Sequence, residues 1–243
     1  MSHLSRRSFL GSTAALMISA TSARARTVSE GMPWWPGSAT PPSQVRPGLW
    51  AFFSADEAAL VEAAVDRLIP ADERGPGGKD AGCAVFIDRQ LSGPYGRAEG
   101  LYMRPPFMPG AATQGYQSPD APAGIYRKAL RDISDHVKGA FDGKAFAQLS
   151  PQDQDKVLFD LEMGVIALKE TKSAEFFTLL LQNTTEGFFA DPIYGGNRDM
   201  AGWKLIGFPG ARYDYRDWVE RHNETYPLPP VGIMGRSEWT AKE

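Results

Sequence analysis

The chain of 243 residues holds one cysteine, Cys83, and three histidines, His3, His136 and His222. A single thiol cannot close an internal disulfide, build a thiolate metal knuckle or complete a Cys-x-x-Cys-His haem attachment site. The histidines stand far apart and never at His-x-x-x-His spacing, so the sequence gives no sign of a metal site. Basic excess is lacking too. Twenty-six Lys and Arg face 29 Asp and Glu, a formal charge of −3, which is not the footprint of a nucleic-acid binder. No Gly-x-Gly-x-x-Gly follows a predicted strand and no Gly-x-Ser-x-Gly occurs, so neither a dinucleotide fingerprint nor a nucleophile elbow is present. Gly75-Pro76-Gly77-Gly78 does not substitute for one, because it follows a helix and its proline has no N–H to offer a phosphate.

What is present is an ordinary globular composition, 42% hydrophobic and 23% charged, with Gly (25) and Pro (19) gathered into clusters. A chain of this length buries a full core without staples, and the clustering predicts helices joined by long irregular connections. At the N-terminus, Ser5-Arg6-Arg7-Ser8-Phe9-Leu10 precedes an uncharged stretch, Gly11 to Ala23, and then Ala23-Arg24-Ala25. Basic start, short apolar centre and A-x-A end are the layout of a signal peptide, and the centre is too short for a spanning helix of about 20 residues. Paired Arg6 and Arg7 before Phe-Leu give it twin-arginine character. Cleavage after Ala25 takes Arg6, Arg7 and Arg24 from the 26 basic residues, leaving 23 against 29 acids, a formal −6. The twin-arginine route carries folded proteins, commonly with cofactors loaded. A chain with no cofactor fingerprint on that route suggests a cofactor-bearing partner that travels with it.

Four parts follow: a signal peptide over 1–25, a Pro- and Trp-rich arm over 26–50, a helical domain over 51–225 and a C-terminal arm over 226–243. No apolar period survives the prolines of the first arm, and its Trp34, Trp35 and Trp50 need a surface to bury them. Ser54-Ala55-Asp56-Glu57 reads as a capping box ahead of Leu60, Val61, Ala64, Val65 and Leu68. Helices are further predicted over about 83–91, 125–140, from Ser150 with Pro151 in the first turn, and from a capping Ser173 to about Gly187. Val157, Leu158, Leu161 and Ile166 form the stripe of the fourth. No run alternates at period two, so the fold class is mainly α, an irregular helical domain with long Gly/Pro-rich loops and extended terminal arms.

The run Asp191-Pro192-Ile193-Tyr194-Gly195-Gly196-Asn197 admits two readings. As a sugar-binding or catalytic loop, it could bind sugar hydroxyls through its Asp and Asn and the Arg that follows. As a structural or interface turn, Pro192 fixes the approach, Gly195 and Gly196 permit positive φ, and Asp191 caps its own backbone. No histidine lies near it to serve as a base. Cys83 is either a small buried residue or half of an intersubunit disulfide. His136 and His222 read as surface residues.

Asp191 to Asn197, Trp203 and Gly207-Phe208-Pro209-Gly210, with Asp66-Arg67-Leu68-Ile69-Pro70, Gly75-Pro76-Gly77 and Phe86-Ile87-Asp88 upstream, resemble the gluconate 2-dehydrogenase subunit 3 family. The resemblance implies a small subunit with no catalytic residue, cofactor or metal of its own. Its partners would be a large FAD-binding dehydrogenase subunit and a c-type cytochrome subunit carrying haem c. The complex would act on gluconate, fructose, sorbitol or glucose, in the periplasm, attached to the inner membrane only through its other subunits. Trp34, Trp35, Trp50, Asp191, Pro192, Tyr194, Gly195, Gly196, Asn197 and Trp203 are then the expected partner contacts. The alternative is a stand-alone periplasmic sugar-binding protein or enzyme that uses the 191–213 loop.

Overall fold

The computed structural model describes residues 44–46, 48–108, 110–111, 113, 118–212 and 214–235, all within one unit, Pro36–Glu243. Arg6, Arg7, Trp34 and Trp35 lie outside the described residues, as does the whole expected signal peptide over 1–25. Six α-helices carry the fold: α1 Ala55–Leu68, α2 Cys83–Ser92, α3 Pro122–Ala140, α4 Pro151–Glu162, α5 Ser173–Phe189 and α6 Ala201–Ile206. Among the described residues there is no strand, only isolated bridges such as Gly210 with Val231. The mainly α class read from the sequence is the class observed.

Helix α1 begins where its capping box places it. Ser54 Oγ accepts from the Glu57 amide at 3.3 Å, and the Glu57 carboxylate accepts from the Ser54 amide at 2.8 Å. Such a cap is worth about 1 kcal/mol. Ala58, Leu60, Val61, Ala64 and Val65 face inward. Helix α2 is buried on nearly every side, from Cys83 through Asp88 and at Leu91, as expected of a central helix. It lies against α5, which also packs on α4. Tyr126 of α3 meets Phe176 of α5 edge-on at 5.3 Å, and the Tyr126 hydroxyl donates to Asn183 Oδ1 at 2.9 Å. Burial satisfied in this way leaves no orphaned phenol in the core.

Three local expectations change. Helix α3 starts at Pro122 rather than Ile125, since proline suits the first turn, where its missing N–H is not needed. Ser173 does not cap α5: Lys172 occupies the cap position and Ser173 is buried in the first turn. Ile166 is buried, but from beyond the helix, because α4 stops at Glu162 and Gly164 turns the chain at φ +73°.

The arm leading into α1 is tied to the core by one carboxylate. Asp88, fully buried on α2, accepts from the amides of Ala51, Phe52 and Phe53 at 2.8–2.9 Å and pairs with Arg89. Arg89 also donates to the Leu49 carbonyl at 3.0 Å. Three charge-assisted bonds offset the cost of burying the carboxylate. Trp50 packs on this chain's own core, its ring 6.2 Å from that of Phe53.

Candidate functional site

Helix α5 ends at Phe189 with carbonyls that no further turn can satisfy, and the residues after it meet that need. Asn197 Nδ2 donates to the Ala190 carbonyl at 2.8 Å, and Trp203 Nε1 donates to the Phe189 carbonyl at 2.8 Å. Asn197 Oδ1 accepts from the Gly202 amide at 2.8 Å, fixing the start of α6. Asn197 is 0% exposed and Trp203 6%. Both were expected to face a partner. The structure instead turns them inward, where they close the end of α5.

The first half of the loop is built around Asp191. Its Oδ1 accepts from the Ile193 amide at 3.0 Å, and Oδ2 accepts from the Ile233 amide at 2.6 Å. Pro192 opens a single 3₁₀ turn, Pro192–Tyr194, closed by Gly195 at φ +94°. The Val45 amide donates to the Ile193 carbonyl at 2.9 Å. Gly195 alone takes the positive φ expected of the glycine pair. Gly196 serves close approach, since a Cβ there would lie 2.1 Å from the Gly187 carbonyl oxygen of α5. Replacing Gly196 would therefore break the fold of this chain, and loss of a partner after such a change would say nothing about contact.

The described parts of both arms meet the loop. Val45 docks on Ile193 from one side. On the other, Ala211 donates to the Val231 carbonyl at 2.6 Å, Val231 donates to the Pro209 carbonyl at 3.3 Å, and Ile233 binds Asp191. The described part of the C-terminal arm is thus docked on its own chain. Between the arm ends and the loop lies a cleft of about 490 Å³, whose walls include Gln44, Val45, Asp191, Arg198, Asp199 and Met234. The backbone beside it is left-handed at three non-glycine residues, Asn197 (φ +47°), Asp199 (φ +54°) and Met200 (φ +57°). Such conformations persist only where surrounding bonds impose them. Here the Arg198 amide donates to the Ala81 carbonyl at 3.0 Å and the Met200 amide to the Asn197 carbonyl at 2.8 Å. Sequence reading missed the bond between Arg198 and Ala81, because it joins residues over a hundred positions apart with no spacing signal.

What remains outward is apolar. Tyr194 is 47% exposed, and Leu205, Ile206 and Phe208 are exposed as well. Phe208 stacks edge-on over Trp203 at 5.2 Å. Cys83 lies 0% exposed under this region, and burial pushes its thiol up to about 12. That is the setting of an inert packed thiol, protonated at neutral pH and closed to a partner's cysteine in this arrangement. His136 and His222 are exposed. Among the described residues no group of His, Cys, Asp and Glu could hold a metal ion, and no helix is long and apolar enough to cross a membrane.

No curated protein and no solved structure matches the chain. The family description Gluconate 2-dehydrogenase subunit 3 matches over residues 55–210, from the first residue of α1 to the glycine that bridges to Val231. Among the described residues that span holds all six α-helices, Asp88 itself and the closure of α5 by Asn197 and Trp203, and it covers well over half the sequence. The chain belongs to the gluconate 2-dehydrogenase subunit 3 family, and so is an accessory subunit of a dehydrogenase.

Proposed function

We propose that the chain is the non-catalytic small subunit of a periplasmic, membrane-associated FAD-dependent dehydrogenase of the gluconate, fructose, sorbitol or glucose type. In this role it carries the export signal for the complex and supports maturation and stability of the flavin subunit. FAD then sits on the large subunit and haem c on a cytochrome subunit. The observation that carries the reading is the family match over 55–210 in a chain whose Ser5-Arg6-Arg7-Ser8-Phe9-Leu10 has twin-arginine form. The exposed Tyr194, Leu205, Ile206 and Phe208 supply apolar surface of the kind that docks a partner.

The test is the double variant Arg6→Lys with Arg7→Lys, expressed with the proposed flavoprotein partner. Both proteins are expected to remain in the cytoplasm, with dehydrogenase activity lost from the periplasmic fraction. Normal periplasmic activity would refute the escort role. Turnover, or tight sugar binding, by the mature chain alone would favour the stand-alone reading built on the 191–213 loop.

A further inference from the structure

Arg198 is the only cationic side chain among the described residues that line the cleft between the arm ends. Its Nε is buried and has no acceptor, and the guanidinium makes no ion pair among the described residues. The acids nearby do not serve. Asp191 spends both oxygens on the amides of Ile193 and Ile233, and Asp199, next in the chain, is exposed and unpaired with it. A Cβ on Gly82 would lie 3.0 Å from Arg198 Nε and 3.4 Å from its Cγ, so the stem is seated against that glycine. The backbone is pinned on both sides, by the Ala81 carbonyl and by the inward Asn197.

A half-buried guanidinium whose Nε has no acceptor gains from an anion that completes it, and here its position is set before any ligand arrives. Its planar fork matches a carboxylate through two parallel N–H···O bonds. Asp191 and Asp199 on the same walls would repel a dianionic phosphate about twice as strongly as a single carboxylate set against Arg198. A polyhydroxy acid would need several polar partners, yet much of the wall is Val45, Ile193, Met200 and Met234. That frame suits a peptide. We propose that Arg198 receives a carboxylate of the flavoprotein subunit, an acidic side chain or the chain terminus, seated between the two arm ends. This rests on the reading of the chain as a subunit that docks a flavoprotein.

The experiment uses the purified complex. Arg198→Lys places a primary amine where the guanidinium stood. Carbodiimide treatment then joins that amine to any carboxylate in contact, whereas the arginine is inert to it. Peptide mapping is expected to find position 198 coupled to an Asp, Glu or C-terminal carboxyl of the flavoprotein. An intact complex with position 198 unmodified, or coupled only to Asp191 or Asp199, overturns the proposal. Arg198→Ala is expected to lower the yield of complex by about tenfold, as for an interface arginine, with the KM for the sugar donor unchanged in what survives. Full yield with an altered KM would assign the carboxylate to a small molecule and also overturn it. If the unaltered chain fails to co-purify with any flavoprotein, the fault lies with the proposed function and not with Arg198.

Discussion

Single side chains near the end of α5 have opposite assignments, and substitution separates them. Asn197 makes two buried bonds, to Ala190 and Gly202. Asn197→Ala leaves a carbonyl and an amide without partners, so unfolding free energy is expected to fall by about 2–4 kcal/mol, measured by denaturant melting. Tyr194, exposed at the same loop, should change stability by less than about 0.5 kcal/mol when replaced by alanine. Its loss should show in the yield of flavoprotein complex, and an unchanged yield would remove it from the interface. For Cys83, a thiol raised from 9.0 to about 12 by burial keeps its proton in the folded chain. The sign follows from linkage: a group with a raised folded pKa stabilises fully below the unfolded value, and that contribution is lost as pH climbs from about 9 towards 12. Stability should therefore fall across that alkaline window, with a shallower fall in Cys83→Ala. At pH 8 the native thiol should resist a disulfide reagent and react once denatured, and the complex should show no band shift on reduction.

At the scale of elements, the capping serines divide in an instructive way. Ser54 and Ser150 were legible because a cap depends on residues three positions away, and both accept the expected amide. Ser173 stands before an equally apolar run but is drawn into the first turn, since tertiary burial outweighs a local cap. The Asp88 clamp shows the opposite limit. Phe86-Ile87-Asp88 was visible as a pattern, but its partners at 51–53 lie more than thirty residues away, on another element. Asp88→Ala should cost about 3 kcal/mol or more by freeing three amides, and should expose the segment before α1 to limited proteolysis. Helix α5 sets a steric limit of its own. Gly196→Ala would push a methyl into its backbone, an overlap expected to cost about 3 kcal/mol or more. If Gly196→Ala melts like the parent, the crossing of the loop over α5 is wrongly described.

For the molecule as a whole, removing residues 226–243 strips Ile233 from Asp191 and Val231 from Pro209 and Ala211. The truncated chain should melt at lower temperature. The sequence by itself determined the helical class, most helix starts and the family block, because these follow from periodicity, spacing and residue type within a few turns of chain. Only the tertiary structure decided that Asn197 and Trp203 face inward, that Gly196 is there for proximity, that the described arm ends fold back on the loop, and that Arg198 has no counter-charge among the described residues. Each of those depends on which distant backbone atoms come within hydrogen-bond reach. That is a property of packing, and neither composition nor periodicity encodes it in a form that one sequence reveals.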